Sequence, residues 1–398
     1  DPLFAHGLVL LGGDGPIVIA AMDWCEIRND AHDRWRAALA EAAHTTPEKV
    51  LFTSVHQHDA PLADLHAQKL LQASGADGMI CDPEFHERTV QRVAKALRDG
   101  LAEPRRITHL GLGQERVEKI ASNRRVVRPD GTIDFGRGSA SGAQYADTPL
   151  GEIDPWLKTI SFWSEDEPVA ALNCYATHPM SYYGKGEISA DFVGMARARR
   201  QADDPKIHQI YASGCSGDVT AGLFNDGSAG NRPVLADRLY QAMAAAWKAT
   251  SRQPLSQIEF RSIDYHLPPR ETGGYAKSDQ QARLNGDGPL FQRALAAMGL
   301  SWWKRIESGR PLDLPAIDFG PAQILLAPGE SYVAYQLHAQ RVRPDSFVMT
   351  MGYGECAPGY VPTERAFEEK DTNLGPWCWV APGSERALKQ AIEAALER

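Results

Sequence analysis

The chain has 398 residues, 43% of them hydrophobic and 23% charged, which rules out a disordered or coiled-coil protein. Its net charge of -9 argues against nucleic acid as a partner, because phosphate binding needs a basic face. No apolar run approaches the roughly 20 residues of a bilayer span, so no integral membrane segment is expected and the protein is expected to be soluble.

The chain opens on Asp1-Pro2 rather than Met, so a leader or tag is expected to have been removed. Residues 16–23 read as a buried strand ending on Asp23, and Asn29 and Asp30 offer an N-cap to an amphipathic helix over 32–43. A β-branched run at 49–55 then delivers His56 and His58 at its end. Strand, helix and strand in that order suggest parallel pairing.

A second amphipathic helix is predicted over 84–97 and a strand over 107–117. Strands over 157–163 and 169–175, separated by Ser164-Glu165-Asp166-Glu167, form a hairpin that carries His178 just beyond it. A helix over 191–200, a strand over 208–212 and a Gly-rich turn from Ser213 to Asp218 follow. Next comes a helix over 233–250 with Pro233 at its start. Residues 267–320 break the rhythm and read as a helical insertion covering the site, with helices over 277–284 and 291–308. The core pattern resumes with strands over 322–326 and 347–351 and a closing helix over 384–397. The expected fold is α/β: a mixed, largely parallel sheet flanked by helices, with a metal site at strand ends. Its main part is 1–266, the insertion is 267–320 and the remainder is 321–398.

On a strand, His56 and His58 share a side, and two imidazoles at a strand terminus are well placed to hold a metal. The same spacing fits one core and one surface histidine. His178 and the Glu330 of Ala327-Pro328-Gly329-Glu330 also follow strands, and two imidazoles with a carboxylate are a hydrolytic zinc set. Pro-Gly-Glu alone equally fits a solvated turn. Gly352-Tyr353-Gly354-Glu355 and Pro358-Gly359-Tyr360 offer phenols to a metal or an oxyanion, or tyrosines that only pack. Gly217-Asp218-Val219-Thr220 is either an anion nest or an Asx-capped turn. Asn123-Arg124-Arg125 is either a solvated pair or an oxyanion clamp. No Gly-x-Ser-x-Gly elbow exists, and the six scattered cysteines contain no Cys-x-x-Cys. A hydrolase using Cys215 or Ser216 nevertheless stays open.

Taken in order, these segments resemble the neutral/alkaline non-lysosomal ceramidases and their smaller bacterial relatives. Ser54-Val55-His56-Gln57-His58-Asp59-Ala60-Pro61 is similar to the family's Thr-His-Thr-His-Ser-Gly-Pro, which implies His56 as a zinc ligand and His58 as general acid/base. Asn123-Arg124 resembles its Asn-Arg-Ser, implying Arg124 in the active site, with Arg125 the alternative by one position. Ala176-Thr177-His178-Pro179 is similar to the segment of the second zinc histidine, and Ile188-Ser189-Ala190-Asp191 to the Ile-Ser-Gly-Asp after it. Ser216-Gly217-Asp218-Val219-Thr220 resembles Gly-Asp-Val-Ser, Pro328-Gly329-Glu330 the Pro-Gly-Glu that supplies a zinc carboxylate, and Gly359-Tyr360-Val361-Pro362-Thr363-Glu364 the segment of the zinc tyrosine.

The resemblance implies one Zn2+ held by His56, His178, Glu330 and Tyr360, with a second, structural divalent cation compatible with it. Water then attacks an amide of N-acyl, ceramide-like type or a related ester, with His58 moving the proton, Arg124 steadying the oxyanion and Thr220 touching the substrate. A small-molecule or lipid-like amide substrate and a secreted or periplasmic location go with the family. Three departures accompany it. Residues 368–372 stand where the family has a second active-site tyrosine, the N-terminal segment before the first strand is absent or trimmed, and no C-terminal immunoglobulin-like domain is expected. The missing tyrosine keeps open a non-catalytic metal- or ligand-binding homologue.

Overall fold

Ile17–Met22 is buried at every position, between an antiparallel partner, Ala5–Leu10, and a parallel one, Val50–Ser54. The computed structural model describes residues 1–397. Asp30–Ala43 is the helix that crosses between the two parallel strands, as the sequence pattern predicts. It buries Trp35 against Phe52, ring centroids 4.9 Å apart and nearly parallel. Asn29 does not cap it. Its φ is 50°, and its amide instead donates to Asp64 and Ser301, both at 3.0 Å.

A second sheet runs His208–Ser213, Glu167–Tyr175, Trp156–Ser164, His109–Arg116 and Ser251–Pro254. A third runs Glu259–Tyr265, Leu312–Asp318, Ala322–Leu326 and Phe347–Met351. Each of these three sheets contains one parallel pair, and its other ladders are antiparallel. The expected mixed α/β fold is present, but as several mixed sheets with one parallel pair in each of these three rather than one largely parallel sheet. Short turns, such as the one at Glu165 and Asp166, can join only antiparallel neighbours, while parallel pairing needs a long crossover.

The helical pattern expected over 267–320 also ends earlier. Lys277–Asn285 and Leu290–Glu307 are helices, but Leu312–Asp318 is a sheet strand paired with Glu259–Tyr265. The helical pair shares one apolar core with that sheet, Trp302 packing in the same cluster as Leu71, Leu314 and Val361. Other elements not anticipated include the strands Ala5–Leu10, Ser251–Pro254 and Glu259–Tyr265 and the helices Leu65–Ala73 and Val333–Val342.

The parallel pairs matter most for function. Their C-terminal ends, Met22 with Ser54, Tyr175 with Ser213 and Leu326 with Met351, are stitched to one another. Ser54 N donates to Tyr353 O at 3.0 Å, Gly352 N to Ser213 O at 2.8 Å, and Ser213 Oγ to Val55 O at 2.7 Å. Carboxyl ends of parallel strands are where open α/β sheets place ligands. Here three such ends meet.

Candidate active site

His56, His178 and Glu330 each lie a few residues beyond one of these strand ends. His56 is not on the strand, which stops at Ser54, so alternation does not set its direction. Its backbone takes φ 70°, a conformation that non-glycine residues adopt only when the surroundings impose it. Two contacts impose it here. His56 N donates to Trp24 O at 3.0 Å, and the ring stacks on Tyr353 with centroids 4.2 Å apart.

Each imidazole is oriented through Nδ1. His56 Nδ1 donates to the Cys25 carbonyl at 2.8 Å, and His178 Nδ1 to the Ser216 carbonyl at 2.6 Å. A neutral ring that donates from Nδ1 carries a bare lone pair on Nε2. The two Nε2 atoms stand 3.2 Å apart, with Glu330 Oε2 at 2.9 Å from His178 and 3.5 Å from His56. All three residues are buried. Three acceptors turned on one another in a buried site need a positive charge between them, so the donor set fits a divalent cation. Without a cation, a proton on His56 answers the same demand. Burial opposes a charge on His56, yet the Cys25 sulfur and Glu330 hold it well above the usual imidazole range. His178 is lowered to about 4 by burial and by Arg124. Burial works against the Glu330 carboxylate too, but His178 and His56 keep it well below the usual carboxylate range.

His58 stands beside this group. Its ring centroid is 5.1 Å from that of His56 and 5.9 Å from that of His178. Burial first, then the neighbouring histidines, keeps it well below its ordinary value, and its buried Nε2 has no hydrogen-bond partner among the described residues. It is therefore an uncharged imidazole with a free ring nitrogen. Tyr183 covers it from the solvent side at 5.3 Å.

Arg124 and Arg125 point in opposite directions. Arg124 N donates to Asp218 O at 2.7 Å, and its guanidinium donates to Gly217 O at 3.1 Å and to the Tyr360 hydroxyl at 2.7 Å. Arg125 forks onto the Glu369 carboxylate, at 2.5 and 2.6 Å, near the surface. Glu369 lies in the stretch 368–372, where the resemblance expects a second tyrosine. Tyr360 pairs in parallel register with Glu330, which brings the phenol to the carboxylate and to Arg124. Burial raises its pKa above the ordinary phenol value despite Arg124, so without a cation it is a neutral phenol.

Thr220 is placed otherwise than expected. It is fully buried, with its hydroxyl donating to Gly138 O at 3.3 Å and accepting from Gly222 N at 2.9 Å. Its hydroxyl closes a turn, and its backbone bridges to His178. A substrate contact is not supported. The Cys215 and Ser216 alternative fares similarly. Cys215 is fully buried, and burial pushes its thiol up. Ser216 Oγ is paired with the Tyr353 hydroxyl at 2.7 Å, while His178 addresses the Ser216 carbonyl.

Sequence reasoning did not single out Tyr353 or Asp218 for what they do. Tyr353 backs His56 and reaches Ser216. Asp218, raised to about 6 by burial, accepts from Asn123 Nδ2 and Val333 N, both at 2.8 Å, and so ties three segments beneath Arg124. The glycines around Tyr353 were the only signal. Cys25 also offers its sulfur to a group with His56 and His58, the three ligand atoms lying within 4.8 Å. His32, Asp33 and Glu355 form a further group whose ligand atoms lie within 4.8 Å of one another. There Arg305 stands 3.3 Å from Glu355 and Arg310 2.5 Å from Asp33, so the acids are already compensated. Among the described residues no helix is long and apolar enough to cross a membrane.

No family model and no curated protein sequence matches the chain. Solved structures share its fold, among them two ceramidases. One is the neutral ceramidase from Pseudomonas aeruginosa, with TM-score 0.69 and 17% identity over 98% of this chain and 68% of that one. The other is a ceramidase complexed with C2, with TM-score 0.68 and 16% identity over 98% of this chain and 69% of that one.

Proposed function

We propose that this chain, which has the neutral ceramidase fold, is a metal-dependent hydrolase of N-acyl amides of the ceramide type. The observation that carries the proposal is the convergence of three potential ligand atoms, His56 Nε2, His178 Nε2 and Glu330 Oε2, with an uncharged His58 and an Arg124–Tyr360 pair alongside. Two imidazoles and a carboxylate favour zinc, and Tyr360, the parallel partner of Glu330, would join them. When bound there, a divalent cation lowers the pKa of water towards ~7 and polarises an acyl carbonyl.

The protein's own part is orientation and proton transfer. Nδ1 hydrogen bonds lock both ligand rings, which is how such ligands are held in the productive tautomer. His58 takes a proton from the attacking water on its free nitrogen and returns it to the leaving amine. The Arg124 guanidinium, which also donates to the Tyr360 hydroxyl, steadies the charge that develops on the acyl oxygen.

The test is release of free amine from short-chain N-acylsphingosines and related amides and esters, before and after chelation. Turnover that chelation abolishes and Zn2+ restores is the expected result. Turnover that survives chelation contradicts the proposal. Binding without turnover across the panel supports instead the non-catalytic alternative, which the Glu369–Arg125 pair at the site of the second tyrosine motivates.

A further inference from the structure

Cys25 brings a thiol to the site that the hydrolytic scheme does not use. It lies just beyond Ile17–Met22, the strand paired in parallel with Val50–Ser54, and His56 lies just beyond that partner. Main-chain bonds hold the two extensions side by side: Val55 N donates to Met22 O and Cys25 N to Pro61 O, both at 2.8 Å. The sulfur thereby comes to the histidines. One ligand atom each from Cys25, His56 and His58 lies within 4.8 Å of the others, the same closeness that His56, His178 and Glu330 show.

These two sets differ in donor chemistry and in depth. The sulfur set offers one thiol and two imidazoles, the carboxylate set two imidazoles and an acid oxygen. Thiolate sulfur selects thiophilic cations, whereas carboxylate oxygen suits harder ones. His56, His178 and Glu330 are all buried, but Cys25 and His58 are only partly so, which puts the sulfur set nearer solvent. His58 Nε2 is a buried atom without a hydrogen-bond partner among the described residues, so His58 has a nitrogen to give. His56 belongs to both sets. With Nδ1 committed to the Cys25 carbonyl it has one nitrogen left, and an ion in one set excludes an ion from the other.

We propose that Cys25, His56 and His58 form an alternative seat for a thiophilic divalent cation, and that an ion seated there switches the hydrolase off. The switching rests on the reading of His56, His178 and Glu330 as the hydrolytic set. On ligation the Cys25 thiol releases its proton to solvent and a metal–thiolate bond forms. The same ion takes up His58, the group that moves the proton, and draws His56 from the hydrolytic set.

Cd2+ is the probe, because a Cd2+–thiolate bond has its own ultraviolet charge-transfer band. The other five cysteines are buried, so in the folded protein that band reports Cys25. Metal-free wild type titrated with Cd2+ should show the band. Cys25→Ser should lose it and bind Cd2+ about tenfold more weakly or worse, while His178→Ala should keep it, since His178 belongs only to the carboxylate set. In Zn2+-loaded protein, the Cd2+ concentration that halves turnover should rise about tenfold in Cys25→Ser. No band in wild type, a band that persists in both Cys25→Ser and Cys25→Ala, a band lost in His178→Ala, or equal sensitivity of wild type and Cys25→Ser to Cd2+ would each overturn the proposal. The zinc reading fails separately: Zn2+ affinity unchanged in His178→Ala would contradict it whatever the Cd2+ band shows.

Discussion

His56 and His178 face one another through Nε2 at 3.2 Å, each having committed Nδ1 to a main-chain carbonyl. Their protonation has opposite consequences for the metal-free protein. His178 is lowered to about 4 by burial and by Arg124, so between its ordinary value and 4 the folded chain binds fewer protons than the unfolded one. Its effect is to make stability fall as pH drops from ~6.5 towards 4, by on the order of 3 kcal/mol in all. His56, held high by the Cys25 sulfur and Glu330 against burial, contributes stability that is lost as pH rises through its folded value. Urea unfolding of chelated protein at several pH values should show the acid-side loss, and His178→Gln should lessen it. An equal loss in the variant would contradict the assignment.

The two arginines should separate cleanly. Arg124→Ala removes a buried charge that donates to Tyr360 and should lower kcat by about 10²-fold or more, as loss of an oxyanion donor does. Arg125→Ala breaks only a partly exposed pair with Glu369, and should cost at most about 1 kcal/mol of stability with activity nearly unchanged. Steady-state kinetics on both variants checks this, and the reverse pattern would move the active-site assignment by one residue.

Tyr353 backs both histidines, its ring stacked on His56 and its hydroxyl 3.4 Å from His178 Nδ1. Tyr353→Phe keeps the stack and loses the hydroxyl contact to Ser216, which should cost about 1 kcal/mol. Tyr353→Ala empties a fully buried ring position and should cost about 3–5 kcal/mol, with weaker metal retention. Equilibrium unfolding and metal content of the two variants measure the difference.

Gly217 sets the approach of the turn to Glu330. A Cβ there would sit 2.1 Å from the Glu330 carbonyl oxygen and 2.9 Å from the Tyr332 ring, so Gly217→Ala must push the carboxylate segment away. We expect a loss of about 2 kcal/mol or more and reduced metal content, because overpacking next to backbone cannot be relieved by a rotamer change. A variant with native stability and full metal content would show the contact to be slack.

Much of the site was legible because its residues follow strands. Apolar runs before His56, His178 and Glu330 placed all three at strand ends, and the strand-helix-strand order placed Ile17–Met22 beside Val50–Ser54. What was not legible depends on distant partners. Arg124 differs from Arg125 only through Tyr360 and Glu369, more than two hundred residues away. Tyr353 reads as a loop tyrosine until its ring is seen on His56. Leu312–Asp318 was hidden by Pro315, which is tolerated because Ala322–Leu326 pairs only from Ala316 onward, leaving one edge free at the proline. Val333–Val342 begins after Tyr332 without a side-chain cap, so its start carries no sequence signal.

Elemental analysis of purified protein tests the acceptor group itself, with wild type compared to His56→Ala and His58→Ala. Wild type and His58→Ala should each hold about one divalent ion per chain and His56→Ala almost none, since only His56 turns a bare nitrogen towards His178 and Glu330. A wild-type protein without stoichiometric metal, or a His56→Ala variant that holds as much, would contradict it.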